Sequence, residues 1–315
     1  MLLRPCIARR KSGLCLIRSV TIVTALIAAM VTWLPAVAGV VVTREFVSQA
    51  LARKWSYAVY LPSGYESSAV RYPVLYLLHG NGGSFLDWSN YGDIRSTADA
   101  LIAGGEIPPA IIVMPDAGTS WFVDRNERMQ TAMIDDLLPE VQRNFRVIDA
   151  RNGRLVAGLS MGGFGAMRFA LIYPELFAAA ALLSPAIYDP EPPEHSGARR
   201  VGVFGTPQFD AAVWKALNYP ALWNAYLAKQ MPVPMYINSG DDDDFFIEAQ
   251  AVKFYSLLRR NHQPAELRIV NGAHAWAVWK STIGDAMRYV FRYATPPLAM
   301  ESAAEHRSRT SQSKQ

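Results

Sequence analysis

A serine at the centre of a glycine-flanked turn is the first residue whose type and position could do chemistry. Ser160 occupies the middle of the string GLSMG, which fits the pattern G-x-S-x-G. The string lies between an apolar run and a helical segment, and residues without bulk permit a sharp strand-to-helix turn that exposes the hydroxyl. The helix N-terminus also favours negative charge. Ser160 is the candidate nucleophile, with an incidental serine in a glycine-rich turn as the alternative.

A base must lie beside this serine, because an alcohol is a weak nucleophile at neutral pH. The central candidates are His79, His262 and His274. His274 lies in the string NGAHAW just beyond the last predicted strand, where a loop at the carboxyl edge of a sheet can bring its ring to Ser160. His262 ends a helical segment after basic residues, a position typical of a surface histidine. His274 is therefore the predicted base.

A carboxylate is needed to orient the histidine, and four aspartates follow Gly240 in succession: Asp241, Asp242, Asp243 and Asp244. The run comes directly after a predicted strand and lies between the serine and the histidine in chain order. An aspartate at that place can orient the ring and stabilise the imidazolium. A run of four acids is ordinarily a solvated turn, and the local pattern does not choose among the four.

The string HGNGG, which begins at His79, follows another apolar run and presents an unobstructed backbone. Its N–H groups, together with the N–H of Met161, are candidates to stabilise a developing oxyanion. A phosphate-binding loop is the alternative, but neither G-x-G-x-x-G nor a following Lys-Ser/Thr pair accompanies the string. His79 itself is interpreted as a structural histidine that braces the loop.

Short apolar runs alternate with helical segments along most of the chain. Such runs are typical of strands buried on both faces of a mostly parallel sheet. The predicted strands are 72–78, 110–114, 155–159, 178–183, 234–238 and 267–270, and the predicted crossover helices are 133–144, 161–172, 247–260 and 283–293. The runs 41–47 and 56–61 alternate more and predict an antiparallel edge. The order predicts an α/β fold.

Prolines interrupt this pattern between residues 184 and 234, where eight of them occur. The segment is predicted to pass over the carboxyl edge of the sheet as a partial cap. After residue 293 the sequence becomes polar and small-residue-rich without a periodic apolar face. We therefore expect one domain over residues 39–295 and a disordered tail over residues 296–315.

The N-terminal segment has the three-part layout of a secretory signal peptide. Basic residues precede residue 19, an apolar run follows, and Ala36-Val37-Ala38 provides a small-x-small cleavage pattern. An uncleaved membrane anchor is the alternative, since about 20 apolar residues can span a bilayer. The prediction is a secreted or periplasmic protein, or otherwise a membrane-anchored one. Both cysteines, Cys6 and Cys15, precede the apolar run, so cleavage would leave no cysteine for a disulfide, a zinc site or a nucleophile.

The composition excludes several other classes of protein. The 315 residues are 51% hydrophobic and 18% charged, which excludes a disordered chain. Five of the 31 basic residues but none of the 27 acidic residues precede residue 39, so the remainder carries 26 basic against 27 acidic side chains. A nucleic-acid partner is therefore not expected. The sequence also predicts no cofactor and no metal, because the aspartate run lacks the spacing of an EF-hand loop.

Four strings in order carry a family resemblance: YPVLYLLHGNGGSFLDW, VAGLSMGGFGAMRFAL, INSGDDDDFFIEAQ and ELRIVNGAHAWAVW. They resemble the esterase D-like branch of the α/β-hydrolases, which includes feruloyl and acetyl esterases, S-formylglutathione hydrolases, enterochelin esterases and mycolyltransferases. The resemblance covers nearly all of the chain after residue 41 and implies an α/β-hydrolase fold.

The resemblance also implies roles for single residues. It implies Ser160 as nucleophile, His274 as base and an acid three residues after Gly240, which is Asp243. The neighbouring aspartates keep Asp242 and Asp244 open. It implies the N–H of Asn81 as the second oxyanion donor. Ala273 stands where the family commonly has a second glycine.

The expected activity is hydrolysis of a small-molecule or carbohydrate ester through an acyl-enzyme. An acyltransferase of the same fold with a sugar acceptor is the closest alternative, and a non-catalytic binding protein is a more distant one. Trp88, Trp121, Trp276 and Trp279 fall near the motifs and either form a platform for an aromatic acyl group or a sugar ring, or pack beneath the site. A membrane contact is expected only through an uncleaved N-terminal segment, and no oligomeric state is predicted.

Overall fold

The computed structural model describes residues 38–299. The strands are β1 (Val40–Ser48), β2 (Arg53–Leu61), β3 (Val70–Arg71), β4 (Val74–Leu78), β5 (Ile111–Pro115), β6 (Arg154–Leu159), β7 (Ala179–Leu183), β8 (Met235–Gly240), β9 (Ala265–Val270) and β10 (Leu298–Ala299). The helices are α1 (Asp87–Asn90), α2 (Ile94–Ala103), α3 (Met129–Thr131), α4 (Leu138–Asn144), α5 (Met161–Ile172), α6 (Ala211–Leu217), α7 (Tyr219–Ala228), α8 (Ile247–Arg260) and α9 (Trp276–Phe291). A π-helical segment, Ala132–Leu137, joins α3 to α4.

An eight-stranded sheet organises these elements in the order β1-β2-β5-β4-β6-β7-β8-β9. Strands β1 and β2 are antiparallel to each other, β2 is antiparallel to β5, and the strands from β5 to β9 are parallel. The predicted α/β architecture and its antiparallel edge are confirmed. Because parallel strands run the same way, the loops after β4, β6, β8 and β9 all emerge at one edge of the sheet.

Alternate side chains of the inner strands enter two separate cores. Val74 and Tyr76 of β4 contribute to one core, whereas Leu75 and Leu77 contribute to the other. The first core includes apolar residues of α5, α7 and α8, and the second includes those of α2 and α9. Successive side chains of a strand point to opposite faces, so a strand that is apolar throughout requires a helical layer on each face.

Several elements differ from the prediction. The proline-rich segment contains two helices, α6 and α7, because Pro220 lies in the first turn of α7, where a missing N–H is tolerated. Helix α9 begins at Trp276, seven residues before the predicted start, and α1 and α2 were not predicted.

The predicted disordered tail is corrected at its beginning. Leu298 and Ala299 form a strand that pairs antiparallel with β3, because the backbone finds partners on that short strand. The rest of the tail, and the predicted signal peptide up to residue 37, lie outside the described residues. Within residues 38–299, no helix combines the length and apolarity that a membrane span requires.

A buried arginine fixes helix α5 in place. Arg168 is only 4% exposed and donates hydrogen bonds to the carbonyl oxygen of Leu217 and to Gln130 Oε1. Burial lowers the pKa of its guanidinium to about 10. These bonds connect α5 to the end of α6 and to α3, so the helix that follows Ser160 is held from two sides.

Candidate active site

Ser160 lies on a sharp turn between β6 and α5 with φ 52° and ψ −115°. This strained conformation is held by hydrogen bonds from its N–H to the carbonyl oxygen of Leu183 (2.9 Å) and from the N–H of Ala186 to its own carbonyl oxygen (3.1 Å). The turn also needs its glycines. A Cβ on Gly158 would lie 2.4 Å from the backbone of Gly162, so the two flanks approach too closely for any side chain.

The ring of His274 joins Ser160 to Asp243. Its Nε2 lies 2.9 Å from Ser160 Oγ, and its Nδ1 lies 2.7 Å from Asp243 Oδ2. In the tautomer these partners require, Nδ1–H donates to the carboxylate and Nε2 accepts from the hydroxyl. The ring packs edge-to-face with Phe245 and Trp279 at centroid distances of 4.9 and 5.0 Å. The imidazole is therefore oriented by hydrogen bonds at both nitrogens and by aromatic packing.

Among the four successive aspartates, Asp243 alone is buried, with a side chain 0% exposed. Its Oδ1 accepts a hydrogen bond from the N–H of Phe245 (3.0 Å), which leaves Oδ2 for His274. Asp241 Oδ1 accepts instead from the N–H of Gly272, and the side chains of the remaining two face solvent. The turn after β8 thus presents one carboxylate to the ring.

His79 braces the glycine-rich loop after β4. Its Nε2 accepts a hydrogen bond from the N–H of Ala117 (2.8 Å), and its Nδ1 donates to the carbonyl oxygen of Gly80 (2.7 Å). Burial lowers the pKa of this ring, so it is neutral at pH 7. Both nitrogens are occupied by the backbone, which agrees with a structural role.

The loop lies directly beside Ser160. A Cβ on Gly80 would lie 3.7 Å from Ser160 Cβ. Within residues 38–299, the backbone N–H groups of Asn81 and Met161 donate to no protein acceptor. The side chain of Asn81 is held through its Oδ1, which accepts from Trp121 Nε1 at 3.1 Å. Two free backbone donors therefore flank the hydroxyl.

A cavity of about 500 Å³ opens onto Ser160 and His274. Its other lining residues come from loops at the carboxyl edge of the sheet, from the end of β6 and from the starts of α1 and α9. They include Gly80, Asn81, Gly83, Asp87, Trp121, Leu159, Ala186, Tyr188, Ser196, Gly197, Phe245, Ala275, Trp276 and Trp279. The residues between 186 and 197 belong to the proline-rich segment, which reaches the carboxyl edge of the sheet as predicted. Three tryptophans, a tyrosine and a phenylalanine contribute to the wall.

Trp88 does not line this cavity, and its predicted substrate contact is corrected here. It is 1% exposed, its Nε1 donates to the carbonyl oxygen of Leu78 (3.1 Å), and its ring meets Trp276 edge-on at 5.3 Å. It therefore supports the tryptophan that does line the cavity. Trp121, Trp276 and Trp279 are the tryptophans on the wall.

Sequence reasoning missed Asp87, Tyr188 and Phe245 on the cavity wall. Asp87 contributes the one carboxylate among the described lining residues, and its Oδ1 accepts from Ser84 Oγ (3.0 Å). It lies in the string GSFLDW, four residues after the last glycine of the glycine-rich loop, which is the signal that could have found it. Tyr188 and Phe245 had no comparable signal. Among residues 38–299, no group of three or more His, Cys, Asp or Glu side chains is arranged to hold a metal ion.

Known proteins share both the sequence pattern and the fold. The chain is 36% identical over 156 residues to an endo-1,4-beta-xylanase/feruloyl esterase of Xylanibacter ruminicola, covering 46% of the chain and 22% of that protein. It is 41% identical over 146 residues to an esterase of Mycobacterium tuberculosis, covering 44% and 30%. The chain thus spans less than a third of the length of these relatives.

A solved structure of a ferulic acid esterase superposes with a TM-score of 0.70 at 29% identity, covering 81% of this chain and 98% of the other. The sequence model of the family described as "Putative esterase" matches residues 48–290, which is more than half of the chain. The chain therefore belongs to this esterase family of the α/β-hydrolase superfamily.

Proposed function

We propose that the chain is a serine carboxylic-ester hydrolase that works through an acyl-enzyme. The observation that carries the proposal is the continuous hydrogen-bonded series from Asp243 through His274 to Ser160, with distances of 2.7 and 2.9 Å. A buried carboxylate, an oriented imidazole and a hydroxyl on a cavity wall are the parts that nucleophilic acyl transfer requires. Membership of the esterase family supports the same conclusion.

In the first step, Ser160 Oγ bonds to the carbonyl carbon of the ester while His274 Nε2 takes the hydroxyl proton. The carbon–oxygen bond to the alcohol then breaks, and the imidazolium returns the proton to the departing alcohol. In the second step, His274 takes a proton from water, the water oxygen bonds to the acyl carbon, and Ser160 Oγ departs with that proton. The acid is released, and Asp243 holds the ring of His274 in place through both steps.

The N–H groups of Asn81 and Met161 are the proposed donors to the oxyanion. Each has no other protein acceptor among the described residues, and the loop that carries Asn81 lies against Ser160. Donors that are fixed before the reaction stabilise the charge of the tetrahedral intermediate without reorganisation, and one such donor is typically worth about 3–4 kcal/mol.

The proposed substrates are uncharged esters with an aromatic or extended group. Tryptophans 121, 276 and 279 line the cavity, and no lysine or arginine is among its described lining residues. Flat rings of this kind suit an aromatic acyl group or the face of a sugar. The similar proteins named for feruloyl and ferulic acid esterase activity support a hydroxycinnamoyl ester as one member of the class.

The test is an ester panel with acetyl, butyryl, octanoyl and feruloyl groups, combined with a serine-directed phosphonate. We expect turnover with release of the free acid, and a phosphonate adduct on Ser160 located by peptide mass spectrometry. Absence of both turnover and adduct would favour a binding protein. A panel run with an added carbohydrate acceptor tests the alternative, since an acylated sugar as the main product would establish an acyltransferase.

Asp87 should make the enzyme discriminate against anionic esters. With this carboxylate on the cavity wall, replacing Asp87 by Asn should raise kcat/KM for 4-acetoxybenzoate relative to its uncharged methyl ester. The expected change in the ratio is about fivefold, because one partly solvated charge pair contributes about 1 kcal/mol. Each substrate is normalised to its hydroxide-catalysed rate. Asp135→Asn, which removes an exposed carboxylate away from the cavity, is the matched control. An unchanged ratio in Asp87→Asn would contradict the prediction.

We also propose that the protein is exported through the N-terminal segment. The support is the sequence alone: basic residues, an apolar run and the Ala36-Val37-Ala38 pattern. The mass of the protein recovered outside the producing cells measures where the chain has been cut.

A further inference from the structure

The first residues of the folded domain make a long-range backbone contact. Gly39, which follows the proposed cleavage point, donates a hydrogen bond from its backbone nitrogen to Asp99 Oδ1 at 2.8 Å. Asp99 belongs to α2, 60 residues further along the chain. The hydroxyl of Tyr60, on β2, donates to the same oxygen at 2.7 Å. The contact joins the beginning of the edge strand β1 to a helix.

Asp99 lacks a cationic partner within the described part of the chain. Among residues 38–299, no Lys, Arg or His nitrogen lies within the 4.0 Å that defines an ion pair with its carboxylate. It is half-buried, and it receives only the two neutral donors. A partly buried carboxylate is stabilised most by a positive charge that also donates hydrogen bonds.

The position of Gly39 is closely defined. The residue is buried, and a Cβ on it would lie 2.4 Å from the ring of Tyr60 and 2.7 Å from the carbonyl oxygen of Leu61. Ala38, by contrast, is exposed. The nitrogen of Gly39 is thus held against Asp99 by the shape of its surroundings, while the residue before it is exposed to solvent.

We infer that Asp99 and Tyr60 form a receptor for the α-ammonium group of Gly39 in the processed protein. Hydrolysis of the Ala38–Gly39 peptide bond by a signal peptidase adds water across that bond, with hydroxyl going to the Ala38 carbonyl carbon and hydrogen to the Gly39 nitrogen. The amine then takes up a proton at neutral pH. The neutral N–H donor becomes a charged one beside the carboxylate, and charge-assisted hydrogen bonds are about twice as strong as neutral ones. The inference rests on the proposed export.

The experiment compares two proteins that differ by one residue at the N-terminus, each released from a fusion by a site-specific protease. One protein begins at Gly39 and the other begins at Ala38. In the second protein the nitrogen of Gly39 remains a neutral amide, and the α-ammonium group lies on the exposed Ala38. The described residues 38–299 lie in one compact unit, so both should fold. We expect the protein that begins at Gly39 to melt about 2–4 °C higher, as a difference of about 1 kcal/mol would produce.

Asp99→Asn is the control, because the amide oxygen still accepts from Gly39 and Tyr60 but carries no charge. The difference in melting temperature between the two N-termini should disappear in this variant. A second readout is acylation of the α-amine at neutral pH, which should be several-fold slower at Gly39 than at Ala38. The inference would be overturned if the proteins that begin at Gly39 and at Ala38 had equal melting temperatures with Asp99 present. A difference that remained in Asp99→Asn would overturn it as well.

The last measurement is the mass of the protein that is exported when the full chain is expressed, because this mass identifies its first residue. A mature protein that begins at Gly39 supports the inference, and one that begins elsewhere overturns it. No arm uses ester hydrolysis, so failure of the receptor and failure of the proposed esterase are separate results.

Discussion

Replacing Ser160 by alanine should lower kcat/KM for an activated short-chain ester by more than a thousandfold. The hydroxyl oxygen is the atom that bonds to the acyl carbon, and loss of the nucleophile in an enzyme of this type costs about 10⁶ in kcat. The backbone donors at Asn81 and Met161 remain, so a small rate above that of water should persist. The measurement is initial-rate hydrolysis of 4-nitrophenyl butyrate.

The Ser160→Ala variant should keep its fold. The turn at this residue is stabilised by backbone hydrogen bonds rather than by the side chain, so the melting temperature should stay close to that of the wild type. Ser281→Ala removes a hydroxyl from an exposed position on α9 and is the matched control for activity. Turnover above about a thousandth of wild type in Ser160→Ala would reject the nucleophile assignment.

Replacing Asp243 by asparagine should lower kcat by about 10³–10⁴, because an amide no longer stabilises the imidazolium and favours the wrong tautomer of His274. Asp242→Asn and Asp244→Asn should stay within about twofold of wild type, since exposed carboxylates away from the reacting atoms have little effect on the transition state. These neighbours are closely matched controls. They have the same charge, the same turn and the same substitution, and differ in burial.

A comparable loss of kcat in Asp242→Asn or Asp244→Asn, or near-normal turnover in Asp243→Asn, would contradict the assignment of Asp243 as the residue that orients His274. Asparagine can still accept from the N–H of Phe245, so the turn after β8 should remain folded. The Ser160→Ala/Asp243→Asn double variant tests whether the two residues act in the same catalytic unit. Its activity should be about that of Ser160→Ala alone, because residues that act as a unit have non-additive effects.

Much of the architecture was predictable because its strands are buried on both faces. Strands β6, β7 and β8 contain the apolar runs that predicted them, and each lies within two residues of its predicted bounds. Helices α5 and α8 begin and end as predicted. Helices α6 and α7 were missed, because prolines that mark loops in most contexts also begin helices. Short helix α1 lacks the length over which a periodic pattern can be recognised.

The candidate site divides in the same way. Ser160 and His274 are recognisable from short stretches of sequence. The glycines beside Ser160 mark a tight turn, and the position of His274 directly after a predicted strand marks a loop at the edge of the sheet. Asp243 differs from the other three aspartates in being buried. Four identical residues in a row give no local signal that distinguishes the buried one. Trp276 lines the cavity and Trp88 lies in contact with it outside the cavity lining, and this difference depends on how the two rings pack in the fold.

Local patterns in the sequence are enough to predict the α/β order of strands and helices, the sharp turn at Ser160 and the chain order of the reactive groups. These features follow from apolar runs and from glycines that leave room for the backbone. Four other features appear only in the folded chain: the carboxylate that meets the imidazole, the tryptophans that line the cavity, the place of Asp87 on the cavity wall and the contact of Gly39 with Asp99. Each of these depends on contacts between segments tens of residues apart, and such contacts exist only once the helices have packed on both faces of the sheet.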